Sequence, residues 1–330
     1  MNDANGIVCV PAENLDEYWR YDHLIKACAP LEMVRTAVVH PCDRESILGA
    51  VQGAEAALIE PVLVGPRHRI MAAAEAAGVD ISGFRLVNAR HSHEASSLAV
   101  GLARSGDVDA LMKGSLHTDE IMSEVVRKNQ GLRTERRVSH VFLMDIPDHP
   151  RPLIITDAVV NIFPDLMVKR DICQNAIDMA IVMGIEQPRV AVLSAVETIN
   201  PNIPSTIEAA ALAKMADRGQ ITGALVDGPF AYDNAISVEA ARTKKIGGPV
   251  AGNADILVVP DLEAGNMLAK QLTYHAKAES AGLVLGARVP IILTSRADTA
   301  RVRLASCAVA ARLVDAQRKD LLKRPRKEED

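Results

Sequence analysis

Short apolar runs rich in β-branched residues alternate along most of the chain with alanine-rich segments of helical periodicity. Residues 36–39 (TAVV), 61–65 (PVLVG), 84–87 (FRLV) and 110–112 (ALM) read as strands, with helices between them at 45–58, 70–77 and 93–104. The pattern resumes after a proline-rich stretch, with strands in PRPLIIT and at 189–193, 224–226, 256–259 and 289–293. Helices follow these at 165–182, 207–216, from about 264, and at 299–314. Strands separated by helices predict an α/β fold with mostly parallel sheets and right-handed crossovers. IPDHPRP near residue 150 reads as a boundary, and a second crossing near 295 makes the first domain discontinuous. The expected domains are 1–150 plus 296–330, and 151–295.

A chain of 330 residues is long enough for two such units. With only 3% aromatic residues, the core has to be aliphatic, and a stacking platform for single-stranded nucleic acid is excluded. A formal net charge of −5 argues against non-specific polyanion binding, so basic clusters are local anion sites if they are sites at all. The five cysteines are scattered without a CxxC pair, which fits a reducing compartment and no zinc ribbon. The first residues lack a basic segment followed by an apolar run, and no stretch is long and apolar enough for a membrane span. Cytoplasmic location is the expectation, with neither nucleic acid nor membrane as a partner.

Chemistry-bearing side chains collect just past the strands, where open α/β sheets bind ligands. Lys113-Gly114-Ser115 follows one strand, but the preceding VDALM lacks the glycines of a P-loop. Thr118 is placed to cap the next helix. Arg133, Arg136 and Arg137 then crowd together before the strand VSHVFLM, either as a solvated face or as a grip on phosphate. Glu197, Asn200 and Asn202 share a proline-stiffened loop, and Asp227, Asp233 and Asn234 share another; capping and turn roles compete there with lining a cleft. Finally Thr294, Ser295 and Arg296 end the strand at 289–293, as caps for the next helix or as an oxyanion site.

Four long segments, SAVETINPNIPST, DGPFAYDNAIS, DILVVPDLEAGNMLAKQL and VPIILTSRAD, resemble the phosphate acetyltransferase and phosphate butyryltransferase family, in family order and without large insertions. The resemblance implies reversible exchange of an acyl group between coenzyme A and inorganic phosphate, with both as substrates and no tightly bound cofactor, metal or covalent acyl-enzyme. It also implies two α/β domains with an intervening cleft, of the isocitrate/isopropylmalate dehydrogenase type, in a homodimer. Ser295 and Arg296 match the family's active-site pair. Acetyl-branch members carry an aspartate seven residues after that serine, where this chain has Val302; its TSRADTA resembles the butyryl-type members, and Asp298, three residues after the serine, is the provisional base, with Glu197 and Asp261 as alternatives. Lys113, Arg133, Arg136, Arg137, Asn200 and Asn234 are the expected substrate-binding residues, and Phe230, Met267 and Leu268 the candidates for an acyl pocket.

A decarboxylating dehydrogenase of the same fold would need metal-binding aspartates, which Asp227 and Asp233, on either side of a glycine-proline turn, do not supply convincingly. An inactive acyl-coenzyme-A-binding protein is the second rival, kept open by the absence of the downstream aspartate.

Overall fold

The structure is a computed structural model, and it describes residues 19–293 and 298–322. The chain forms two compact units. The first contains Arg20–Val138 and Ala281–Asp330, and the second contains Ser139–Ser280.

In the first unit, β1 (Val34–Val39) pairs in parallel with β2 (Ile59–Gly65) on one side and β4 (Ala110–Lys113) on the other. β3 (Arg85–Asn88) lies beyond β2. β11 (Ile291–Ile292) joins β4 in parallel, and β10 (Glu279–Leu285) pairs antiparallel with β11. Val38, Leu63, Leu111 and Ile291 are each 0% exposed, so the sheet interior is the aliphatic core expected. Each fully buried side chain of this kind contributes roughly 1.5–3 kcal/mol.

The chain runs from β1 outward to β2 and β3, then returns to β4 on the other side of β1. The helices that make the crossovers are α2 (Arg44–Glu55), α3 (Arg67–Ala77) and α4 (Ser92–Ser105); α5 (Thr118–Val125) follows β4. α11 (Ala300–Arg318) packs on α2. The strand order reverses between β1 and β4, and that is where an open α/β sheet holds its ligand.

In the second unit the strand order is β5 (Ser139–Asp145), β6 (Leu153–Thr156), β9 (Ile256–Val258), β7 (Arg189–Leu193) and β8 (Leu225–Phe230). The last four are parallel and β5 runs antiparallel to β6. α6 (Leu166–Val182), α7 (Pro204–Asp217) and α10 (Leu262–His275) are the long helices. Asp165 and Asp261 cap two of them, accepting from Val168 N and Ala264 N at 2.9 and 2.8 Å.

Two expectations shift. The unit crossings fall at Ser139 and Ala281, not near 150 and 295. IPDHPRP is the connection inside an antiparallel pair, since Val141 faces Thr156 across it. The run in SAGLVLG, not assigned from the sequence, is part of β10, fastened to the first unit where Ala281 N donates to the buried Tyr21 hydroxyl at 2.8 Å. The loop after β8 contains two short helices, α8 (Tyr232–Ile236) and α9 (Val238–Thr243).

Candidate active site

The carboxyl ends of β1, β4 and β11 lie side by side, and the turn after β4 is built onto the end of β1. Gly114 N donates to Val39 O at 3.0 Å and Ser115 N to His40 O at 2.9 Å. The His40 ring returns a bond, Nδ1–H donating to Ser115 O at 2.8 Å, which fixes that tautomer. His40 itself sits in the left-handed region at φ 55°. A Cβ on Gly114 would lie 2.5 Å from Val39 O and 2.9 Å from His40 O, so only glycine fits this turn. Lys113 is half-buried here, its Nζ 3.4 Å from Gly114 O. The helix that follows starts at Thr118, with His117 as its cap residue rather than Thr118. Glu120 locks that helix start to the start of α4, accepting from His117 N at 3.0 Å and from the Ser92 hydroxyl.

Ile291 and Ile292 pair with Leu111 and Met112, so the carboxyl end of β11 lies beside the Lys113 turn. Ser295 and Arg296 lie outside the described residues. Asp298 is half-buried just before Thr299, which caps α11 by accepting from Val302 N at 3.3 Å. The Asp298 carbonyl accepts from Arg303 Nη1 at 2.6 Å. Arg303 is a buried cation that reading the sequence missed, because it sits in a helix buried almost all round.

The arginine loop has a different anchorage. Arg288 N donates to Leu132 O at 2.9 Å, and Thr134 Oγ1 donates to Gly286 O at 2.5 Å. Gly286 and Arg288 precede β11, so these bonds tether the loop at the amino end of that strand, while Lys113 and Asp298 follow the carboxyl ends of β4 and β11. Arg133 and Arg136 are half-buried and Arg137 is exposed. The carboxyl edge has other cations that reading the sequence left aside: Arg44, Arg67, Arg69 and Arg90 are exposed in the turns after β1, β2 and β3.

The two asparagines belong to the second unit. Asn200 Oδ1 accepts from Asn202 N at 3.0 Å, and Asn200 O and N–H both bond Thr206 Oγ1, so this residue shapes the turn into α7. Asn234 is 0% exposed; its Nδ2 donates to Glu197 Oε2 at 3.4 Å and its Oδ1 has no partner. Lys244 Nζ joins the same group, 3.4 Å from Glu197 Oε2 and 3.1 Å from Asp233 Oδ2. The Lys244 bond holds the Asp233 carboxyl below its ordinary pKa. Asp157, at the end of β6, accepts from Val159, Val160 and Asn161 main-chain N–H groups at 2.9, 3.0 and 3.1 Å, yet burial raises its pKa. Phe230 is 1% exposed in the core, Leu268 packs against that core, and Met267 is 65% exposed.

Burial pushes the Cys42 thiol up to about 11, although Arg69 opposes the shift, and the Cys28, Cys173 and Cys307 thiols up to about 12. None of these four supplies a thiolate near neutral pH. Among the described residues no group of three or more His, Cys, Asp or Glu side chains is arranged to hold a metal ion, and no helix is long and apolar enough to cross a membrane.

Residues 92–311 match the family profile described as "Phosphate acetyl/butaryl transferase". The chain belongs to that family. Phosphate acetyltransferase of Rhizobium meliloti is 60% identical over 292 residues, 88% of this chain and 92% of that protein. Phosphate butyryltransferase of Clostridium acetobutylicum is 40% identical over 292 residues, covering 88% and 97%. Among solved structures, a branched-chain phosphotransacylase from Enterococcus faecalis V583 superposes with a TM-score of 0.74 at 28% identity, over 86% of this chain and 99% of that one. The protein is an acyltransferase of this family with the phosphotransacylase fold.

Proposed function

We propose that this family member is a phosphate acetyltransferase, moving an acetyl group reversibly between coenzyme A and inorganic phosphate in a ternary complex. The observation that carries the choice is the identity gap: 60% to the Rhizobium acetyltransferase against 40% to the Clostridium butyryltransferase, over the same aligned length.

In the direction of acetyl-coenzyme A synthesis, the coenzyme A sulfur attacks the carbonyl carbon of acetyl phosphate. A C–S bond forms, the C–O bond to phosphorus breaks, and inorganic phosphate leaves. A free thiol has a pKa near ~8.5, so a base that takes its proton helps, and Asp298 has that role here. Ser295 donates to the carbonyl oxygen as charge gathers on it. Arg296 and Lys113 hold the phosphate, and Arg133, Arg136 and Arg137 the phosphates of coenzyme A. One well-aimed donor is worth roughly 3–4 kcal/mol of barrier, and holding both substrates together adds a proximity contribution.

The reading includes a cytoplasmic homodimer. Ile162, Phe163, Met167, Ile199 and Ile207 expose apolar surface in the loops and first turns leading into α6 and α7, and such a patch favours a self-complementary contact.

Phosphate-dependent release of free coenzyme A from acetyl-, propionyl- and butyryl-coenzyme A, on one preparation, tests the assignment. A pocket separates successive chain lengths by only about 1–3 kcal/mol per methylene. A higher kcat/KM for acetyl is expected; a tenfold preference for butyryl reverses the substrate and keeps the mechanism.

A further inference from the structure

His40 follows β1 directly, at the point where the strand order reverses, and is only 4% exposed. Glycines on both neighbouring strands make room for it. A Cβ on Gly65, at the end of β2, would lie 3.3 Å from His40 Cα and 3.8 Å from its ring Cδ2, and one on Gly114 would lie 2.9 Å from His40 O. His40 N donates to Val64 O at 2.7 Å. With Nδ1–H given to Ser115 O, the lone pair of the neutral ring is on Nε2, which has no partner among the described residues. The Ser115 hydroxyl, half-buried in the same turn, has none either, and Lys113 brings its ammonium to that turn. His140, in β5, is the opposite case. Both of its ring nitrogens are enclosed, and burial pulls its pKa down to about 3, so it exchanges no proton near neutrality.

An unmade bond in a buried ring is costly, and a ring held at one nitrogen by a backbone carbonyl presents the other in a fixed direction. We propose that His40 is a catalytic residue of the acyl transfer, exchanging a proton through Nε2 with the phosphate held by Lys113. The proposal rests on the reading of Lys113 as a phosphate ligand and of Asp298 as the group that serves the thiol. Toward acetyl phosphate, an oxygen of hydrogen phosphate attacks the thioester carbonyl carbon, and the C–O bond forms as the C–S bond breaks. The proton of hydrogen phosphate passes to His40 Nε2, and the coenzyme A sulfur leaves with the proton of Asp298. In the opposite direction the imidazolium protonates the departing phosphate, which would otherwise leave as a trianion. Nδ1–H stays on Ser115 O throughout, so the same bond holds the neutral and the charged ring. An imidazole titrates near neutrality, which suits a group that takes a proton in one direction and gives it in the other.

The test compares His40→Asn and His40→Gln with the parent protein in both directions, reading kcat, KM for phosphate, KM for acetyl-coenzyme A, Tm and the pH–rate profile. Asparagine tolerates the left-handed backbone at φ 55°, and its Nδ2 keeps a donor for Ser115 O while the Nε2 lone pair is gone. Glutamine places an amide near the Nε2 position that forms hydrogen bonds but transfers no proton. Each variant should lower kcat about 10²-fold or more and leave KM for acetyl-coenzyme A unchanged. Toward acetyl-coenzyme A the parent should lose rate on the alkaline side as the imidazolium is lost, and both variants should lack that limb. Cys42, Asp43, Arg44, Arg67, His68, Arg69, Lys113 and His117, the titratable or charged groups on the adjoining turns, all remain in the variants, so a limb that they cause would persist. A persisting limb, or normal kcat in folded His40→Asn, overturns the proposal. A merely structural histidine would lower Tm and leave kcat of the folded fraction intact. Should neither variant fold, the parent decides: no alkaline limb in kcat between about pH 6 and 9 overturns it equally. Lys113→Met is run alongside. An unchanged KM for phosphate there means that the reading of the turn is wrong; a raised one with normal kcat in His40→Asn means that only the role of the histidine is lost.

Discussion

The carboxyl edges of the two units are built from the same local grammar, a strand, a polar turn and a helix, yet they carry opposite charge. The first unit presents Arg44, Arg67 and Arg69 exposed in the first turns of α2 and α3, with Arg90 paired to Glu94 and Lys113 half-buried beside them. The second presents Asp157, Asp165, Glu197, Asp233 and Asp261, and these carboxylates are occupied. Asp157, Asp165 and Asp261 accept main-chain N–H groups of their own turns, and Glu197 and Asp233 share Lys244. An edge whose charges bond to its own backbone is scaffold, while one that leaves cations in solvent attracts anions. Phosphate, acyl phosphate and coenzyme A, the substrates of the proposed function, are all anionic, and the exposed cations of the first edge suit them better than the second edge does. The turn at Gly114 adds a backbone cradle beside Lys113 that no side chain can fill.

Substitutions can break this contrast, beginning with the largest effect. Arg296→Ala in the first unit should leave the protein folded and lower kcat/KM by about 100-fold or more. Retention of over a third of the parent value in soluble protein would sink the assignment. Gly114→Ala comes next. Because the clash is with main-chain oxygens, the turn itself must move, at roughly 2–3 kcal/mol of stability, and activity should fall with it. A thermal melt that matches the parent would mean the turn is looser than its hydrogen bonds imply.

Asp298→Asn separates two roles for one side chain. If Asp298 takes the thiol proton, kcat should fall roughly 10²–10⁴-fold and the acidic limb of the pH–rate profile should vanish. An intact acidic limb with a raised KM for phosphate would mean that the carboxylate orients Arg296 instead.

How far the sequence already showed this contrast depends on what each element uses as its signal. The strands β1, β2 and β7 announce themselves as β-branched runs, and β4 as a short apolar one, because parallel strands are buried on both faces. β10 does not, since its LVL run is only three residues long between Gly282 and Gly286. α8 and α9 hide in a polar segment opened by Gly228-Pro229, and Ser237 caps the second of them through Ala240 N. The segment proposed to carry the acyl transfer was legible only through its resemblance to the family. Arg303 was not legible at all: in ARVRLAS it alternates with Arg301 as a solvent-facing cation would, and only the packing of α2 on α11 buries it. Asn200 and Asn234 are not alike: the Asn200 amide oxygen serves its own turn, while buried Asn234 reaches Glu197 in another loop and leaves its Oδ1 without a partner.

The smallest expected effect lies on the second edge, and it sharpens the contrast from the scaffold side. Lys244→Met removes the cation shared by Glu197 and Asp233. If that edge is scaffold, kcat/KM should change less than about threefold, in the range of an exposed ion pair's worth. The pH dependence of stability gives a second readout. The Lys244 hydrogen bond holds the Asp233 pKa below its ordinary value of 3.8. A carboxylate with a depressed folded pKa lends stability that is fully present above its unfolded pKa. That stability fades as pH falls below 3.8 and through the lower folded value. Lys244→Met should therefore flatten the dependence of Tm on pH in that acid range and leave it alone near neutrality. The variant and the parent, melted between about pH 2 and 7, check this directly. A large loss of activity at unchanged Tm would move Lys244 from the scaffold to the substrate side and erase the difference between the two edges.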